Sequence, residues 1–541
     1  MAALLIMVMI VASRILGLVR QRALAHFFTA SELSLFFAAF RLPDTIFEVL
    51  VYGTFSSAFI PVFTRTLKQG KGKAWEIASQ VTSWGMLFFL VLAAVVIVFA
   101  RPLYQVFTPG FNQLNQSQIV FLARILFAAQ GLFVVSYILT AVLESSRRFL
   151  LPALAPLFYN LGIIVATFLF SSKVGLLAPT LGVVVGALLH LLIQLPLALK
   201  LGYRLKPGLA LSPEVKKIAK LSLPRVVEVS FLQVAKFVEL SLASLISIPA
   251  YTYFTFGNSI QLLPVGLFGT SIAKAALPTL ARQAGNRYKF RRTLFETLNQ
   301  VVFLMAPVVA FLVVFRVPIV RLVFGTDLFT WEATVQTSLV VSAFAVGVFS
   351  QAANSILARS FYALHDTKTP MMVSVSAIIL NIILDFILIR YLSFPVWGLA
   401  AAFSFASILQ SIILFILITR RIHNGVKQAL FIPVIKSALA ALGSGAVMFF
   451  FLKVFDRSVW VKRLSFLGNI DVARNIPFER FVLDTRYTVN LLILTSAVGF
   501  IGLAVYFGIS HLFKSNELKV FTNLIKRQLW IKEISPGLDN T

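Results

Sequence analysis

The chain has 541 residues, 59% of them hydrophobic and 13% charged, with 48 Lys and Arg against 20 Asp and Glu and no cysteine. A soluble domain is about 45–50% apolar and about 25% charged, so this composition excludes a water-soluble globular protein; the missing cysteine excludes a disulfide framework and a thiolate metal site. The net charge of +28 points to cytoplasmic loops and anionic membrane lipids as neighbours, and away from nucleic acid.

Apolar runs of roughly 20 residues recur from end to end, each enough to cross a ~30 Å hydrocarbon core. They are continuous rather than alternating, and the bilayer offers no water to the backbone, so they must be helices. The first run, 2–19, has no basic leader and no small-x-small cleavage site, and reads as a mature helix rather than a signal peptide. Next come 33–62, 76–99, 117–143, 150–171, 177–200 and 218–247, then 250–281, 295–323, 333–362, 370–391, 397–419, 430–453 and 487–513, about fourteen spans in all. Pro43, Pro61, Pro152, Pro156, Pro264 and Pro278 fall in or near them, the pattern of broken helices beside a cavity.

Basic residues orient the spans. Counted from an inside N-terminus, the even-numbered connections carry most of the cations, such as Arg65, Lys68, Lys71 and Lys73, then Lys200, Arg204, Lys216 and Lys217. The short opposite connections hold few, so both termini are expected in the cytoplasm. The outer loop 454–486 is long and mixed in charge, and 514–541 is a basic cytoplasmic tail. Against this pattern the first helix carries Arg14 in its body and Arg20 and Arg22 at its outer end. A charge in the bilayer costs at least ~2.5–3.5 kcal/mol, which suits Arg14 to a wet cavity and Arg22 to snorkelling.

The stretches RRFLLPALAPLFYNLGIIVATFLF (147–170) and HDTKTPMMVSVSAIILNIILDFIL (365–388) resemble one another, each with a polar turn, a proline and a helix bearing a central asparagine, Asn160 or Asn381. Their offset of about 220 residues makes helices one to six the counterpart of seven to twelve. This predicts an all-α polytopic membrane protein with a six-helix lobe over 1–200, a second over 218–419, and two added helices over 430–513. Asn381 and Asp385 stand four apart on one helix face. Such a carboxylate needs a partner or a proton; Glu239 and Lys236 on helix seven are the candidates, as an ion pair that fastens helices or as a cation or proton site. GVVVG (182–186) reads as a helix-packing face and His190 as a hydrogen-bonded structural residue. Neither a phosphate-binding glycine loop nor a nucleophile elbow is present, so direct ATP hydrolysis by this chain is not expected.

SRILGLVR (13–20), AFRLPDTIFEVLVYGTFSSAFIPVF (39–63), LPALAPLFYNLGII (151–164), GVVVGALLHLLIQLP (182–196), LLPVGLFGTSIAKAALPTL (262–280) and DTKTPMMVSVSAIILNIILD (366–385) resemble the MurJ/MviN family of lipid II flippases. The resemblance implies two six-helix lobes in a V around a central cavity, alternately open to either side of the bacterial cytoplasmic (inner) membrane. It implies lipid II, the undecaprenyl-diphosphate-linked peptidoglycan precursor, as cargo, a tail groove on helices thirteen and fourteen, and other cell-wall synthesis proteins as possible partners. Arg14 and Arg20 match two arginines of the family's first helix, and Arg20 corresponds to one that lines the central cavity. Ser34 stands where the family usually has an acid, and Glu48 and Ser259 stand where it favours arginines; Arg41, Lys236 or Lys274 are the candidates to replace that charge. Glu239, Asn381 and Asp385 match a family sodium site, with Ser404 as a possible hydroxyl ligand, so coupling to sodium or protons is expected. The alternatives are a same-fold exporter of another polyprenyl-linked glycan, a drug/cation antiporter, or a non-transporting membrane scaffold.

Overall fold

The computed structural model describes residues 2–54, 58–204, 206, 208–422, 428–456, 483–485 and 487–523. Most of the 454–486 loop and the end of the tail, 524–541, lie outside the described residues. The helices run α1 (Ala2–Phe27), α2 (Ala30–Thr54), α3 (Ile60–Gln69), α4 (Lys71–Val98), α5 (Ala100–Phe107), α6 (Gln113–Ser145), α7 (Leu150–Val174), α8 (Leu177–Leu192) and α9 (Leu195–Lys200). They continue with α10 (Pro213–Ile246), α11 (Ala250–Pro264), α12 (Ser271–Arg282), α13 (Arg287–Val314), α14 (Arg316–Phe324), α15 (Trp331–Ala363), α16 (Lys368–Phe386), α17 (Trp397–Ile422), α18 (Gln428–Phe455) and α19 (Thr488–Leu512). Among the described residues, twelve helices are long and apolar enough to cross a membrane. The other two expected spans are α1 and α2, of 26 and 25 residues. α2 misses the apolar criterion because Arg41, Asp44 and Glu48 crowd its second half.

Wide-turn segments interrupt the ladder at Val265–Thr270, directly after Pro264, and at Ile387–Tyr391, directly after α16. Proline lacks the N–H that the regular ladder needs, and a local π-turn re-satisfies the carbonyls it frees. The expected span 295–323 is broken at Phe315 into α13 and α14.

By packing, the chain forms two compact units. Unit 1 holds residues 1–259, 323–337 and 378–402; unit 2 holds 260–322, 338–377 and 403–541. In unit 1, α7 packs on α8 and α1, and α6 joins α8 to α2, which packs in turn on α10. The GVVVG face does what its small residues suggest: a side chain at Gly186 would stand 2.5 Å from the Tyr159 carbonyl, and one at Gly162 2.7 Å from Gly186 Cα. Only glycine lets the α7 and α8 backbones meet so closely. His190 is held by Ser136 at 2.6 Å and stacks on Tyr137, the structural role expected of it.

In unit 2, α18 packs against both α13 and α19. The Tyr506 hydroxyl donates to Phe303 O at 2.7 Å, and Ser444 donates to Gly502 O at 2.6 Å. The sequence repeat reappears as backbone geometry in the two units separately. Arg147 and His365 both adopt φ of 59°, and the N–H of Arg148 bonds Leu143 O as that of Asp366 bonds Phe361 O, at 2.8 and 2.9 Å. Each is the left-handed turn that closes one long helix before the next begins.

Asp366 also caps α16, accepting from the Thr369 N–H at 3.0 Å and hydroxyl at 2.7 Å, and it pairs with Arg421. Partial desolvation works against its charge, but the Thr369 donors and the Arg421 guanidinium outweigh it and bring the carboxyl down to about 2. In unit 1, Lys73 meets Glu214 at 2.6 Å, and that hydrogen bond holds the half-buried Glu214 carboxyl below its ordinary value.

Candidate functional site

Charged residues of α1, α2 and α10 converge in unit 1, with polar contacts from α6 and α7. On α2, Arg41, Asp44 and Glu48 follow at i, i+3 and i+7 and so share a face. The Arg41 guanidinium lies 3.8 Å from Asp44, whose other oxygen accepts from Gln130 of α6. One turn on, Glu48 Oε2 accepts from Lys236 Nζ of α10 at 2.8 Å and from Gln233 Nε2 of the preceding α10 turn. Thr45 adds to the α2–α10 contact, its hydroxyl lying 3.5 Å from Gln233 Oε1 while donating to Arg41 O of its own helix at 2.7 Å.

Arg20 enters from α1, its guanidinium 5.8 Å from the centre of the Tyr159 ring on α7. That ring is placed by the glycine contact of α7 with α8, so the packing face and the charge site are mechanically one feature. Arg20 Nε and Arg41 Nε are both buried with no hydrogen-bond partner. An unanswered guanidinium donor in a membrane protein is a strong candidate for an anion, because the fork keeps its charge and matches phosphate oxygens. Arg14 is exposed on the same helix.

A second group lies where α16 ends. Asp385 is fully buried and Asn381 nearly so, and Asn381 Nδ2 donates to Asp385 Oδ2 at 3.2 Å. Asp385 Oδ1 and Asn381 Oδ1 have no partner. Glu239 lies within electrostatic reach of Asp385 on one side and Arg41 on the other. Two orphaned oxygens and a neighbouring carboxylate suit a hard monovalent cation, and no soft ligand is offered. Among the described residues no three His, Cys, Asp or Glu assemble into a site for a metal ion, in keeping with a set that has only two carboxylates.

The other candidates are placed as follows. Ser34 is buried, with its hydroxyl 2.9 Å from that of Thr252, which donates to Ala30 O. Ser259 accepts from Gln21 at 2.7 Å and donates to Thr255 O at 2.9 Å. Both hydroxyls thus tie α11 to the α1–α2 hairpin. Ser404 belongs to unit 2 and donates to Ala343 O at 2.7 Å. Lys274 is exposed on α12. The expected pairing of Lys236 with Glu239 or Asp385 is corrected, because its ammonium goes to Glu48 on another helix. Asp44, Gln130, Gln233 and Tyr159 were not singled out in the sequence. Asp44 carried a usable signal, three residues after Arg41 in an apolar helix; the rest owe their place to contacts far apart in the chain.

Unit 2 contributes an apolar trough of about 660 Å³ between α13 and α18, lined by Ala306, Ala310, Val313, Leu442, Gly445 and Phe449 among others.

The all-helical fold with its ionisable groups inside apolar helices is that of a multi-span membrane carrier. A multidrug transporter of the MATE family, in an inward-facing conformation, superposes with a TM-score of 0.64 over 76% of this chain and 94% of its own, at 16% identity. The structure titled lipid II flippase MurJ, inward closed conformation, superposes with a TM-score of 0.73 over 93% of this chain and 99% of its own, at 24% identity. The family model described as lipid II flippase MurJ matches residues 5–468, and the chain belongs to that family. Proteins named probable lipid II flippase MurJ from Borreliella burgdorferi and Haemophilus influenzae are 26% and 28% identical, over 86% and 84% of this chain and 92% of each relative.

Proposed function

We propose that this protein carries lipid II from the inner to the outer leaflet of the bacterial cytoplasmic membrane by alternating access. The family match over residues 5–468 carries the reading. The two buried, partnerless guanidinium nitrogens of Arg20 and Arg41 support it chemically, since a diphosphate is the part of lipid II that apolar helices cannot solvate. Arg14, exposed one and a half turns before Arg20, is the first contact for the headgroup, and Arg20 and Arg41 hold it deeper. The trough between α13 and α18 accepts the polyprenyl tail, whose transfer from lipid to an apolar wall needs little free energy. Both termini lie in the cytoplasm, and membrane lipids bathe the apolar helix faces.

Glu239, Asn381 and Asp385 hold a sodium ion or proton that offsets part of the carboxylate charge and biases the carrier toward one of its two states. Membrane potential acts on the same equilibrium, at ~2.3 kcal/mol per elementary charge per 100 mV.

The test is replacement. In cells depleted of their own flippase, the wild-type chain restores lipid II to the outer leaflet, and an Arg14→Ala/Arg20→Ala variant of equal abundance does not. Restoration by the variant removes the two arginines from the mechanism; failure of the wild type removes lipid II as cargo.

A further inference from the structure

The Glu48–Lys236 pair is out of place in two respects. It joins α2 to α10 within unit 1, yet its side chains stay 27% and 35% exposed, whereas Asp385 is sealed. An ion pair of that accessibility is a weak fastener and is readily exchanged. It also stands one turn beyond the Arg41–Asp44 pair on the same face of α2, near the Arg41 guanidinium, whose Nε has no partner.

We propose that Lys236 is a third ligand for the cargo diphosphate and that Glu48 is its latch, holding the ammonium until phosphate oxygens replace the carboxylate. The inference rests on the lipid-carrier reading above. Three features make the exchange feasible. A diphosphate carries more charge than one carboxylate and so competes for the ammonium once it is within reach. Lys236 is a flexible point charge on a four-carbon stem, able to swing from one oxygen to another, as a planar guanidinium fork is not. Glu48 is not stranded when Lys236 departs, because the Gln233 amide still donates to the same carboxylate oxygen.

The latch also accounts for an acid beside an anion site. Glu48 opposes the cargo charge, so it lowers affinity and hastens release, while its pairing with Lys236 spares the empty carrier an uncompensated cation in the bilayer. Glu48 thus acts on cargo through Lys236 and is a positioning residue.

The experiment measures binding of undecaprenyl diphosphate, undecaprenol and inorganic pyrophosphate to the full chain in nanodiscs, with thermal melting of each variant as the check on folding. The wild type is expected to bind the diphosphate lipid more tightly than the alcohol. Glu48→Gln tightens diphosphate binding about tenfold, Lys236→Gln weakens it about tenfold, and the double variant behaves as Lys236→Gln alone. Lys236→Arg keeps the charge but not the swing, and recovers only part of that loss. A simple fastener gives the opposite result, with Glu48→Gln and Lys236→Gln both weakening binding in step with a lower melting temperature, and that outcome overturns the latch. A response of free pyrophosphate to these variants with the lipid-borne probe unmoved overturns it as well. If the wild type does not distinguish diphosphate from alcohol, the carrier reading falls and the latch with it; if it does and Lys236→Gln binds as wild type, the latch alone falls.

Discussion

Two regions of the molecule face the same solvent problem and solve it in opposite ways. The seam of α2 with α10 in unit 1 gathers Arg41, Asp44, Glu48, Gln233 and Lys236, where every polar atom needs an answer and some lack one. The trough of α13 with α18 in unit 2 is walled almost wholly by Ala, Val, Leu, Gly and Phe. Keeping ions in a bilayer is costly and keeping a hollow there gains no packing, so neither is explained by folding alone. The lipid-carrier reading proposes the first for a diphosphate and the second for a polyprenyl tail.

The comparison breaks most sharply at the cations. Arg20→Ala/Arg41→Ala should cut lipid II transport at least a hundredfold with melting temperature little changed, because each guanidinium–phosphate contact contributes about 1.5–3 kcal/mol. Transport in proteoliposomes at matched protein density checks this. The apolar side is tested by filling it. Gly445 has only ordinary contacts with Ala310 and Val314 around it, so Gly445→Leu should fold and reduce transport of long-tailed cargo several-fold while sparing a short-tailed analogue. Equal loss for both cargoes would detach the trough from the tail.

The buried acids should respond to cations. Sodium at tenfold its dissociation constant should stabilise the wild type by about 1.4 kcal/mol, read as a rise in melting temperature over choline, and Asp385→Asn should abolish the rise. The smallest effect lies outside the membrane, at Asp366. Its carboxyl is depressed to about 2, below an unfolded value of about 4, so its contribution is fully present above pH 4 and is lost as pH falls through 2. Arg421 is 47% exposed, which keeps that contribution at about 1 kcal/mol or less. Acid melting of Asp366→Asn against wild type over pH 4 to 2 should converge by that amount.

The spans were legible because each is a run of about twenty apolar residues, a signal that needs no knowledge of neighbours. The repeat was legible too, down to the equivalent turns at Arg147 and His365. Within the charged seam, residue types were readable but partners were not. Local spacing set Lys236 beside Glu239, one turn away, whereas the contact that forms reaches Glu48, 188 positions back in the chain. Ser34 and Ser259 read as cavity positions by resemblance, yet their hydroxyls bond to Thr252 and to Gln21 and Thr255, contacts set mostly by tertiary packing. The π-turns at 265–270 and 387–391 depend on how each helix settles against its neighbours; Pro264 signalled the first, and nothing local signalled the second.

The central claim is that buried guanidinium groups of α1 and α2 move a lipid-borne diphosphate across the membrane. Its most direct test is purified protein in liposomes with fluorescent lipid II, scoring the fraction that reaches the outer leaflet. The account predicts protein-dependent transfer by the wild type, none by Arg20→Ala/Arg41→Ala, and no transfer of a tail-matched lipid lacking phosphate. Equal transfer by wild type and variant, or transfer indifferent to the diphosphate, would contradict it.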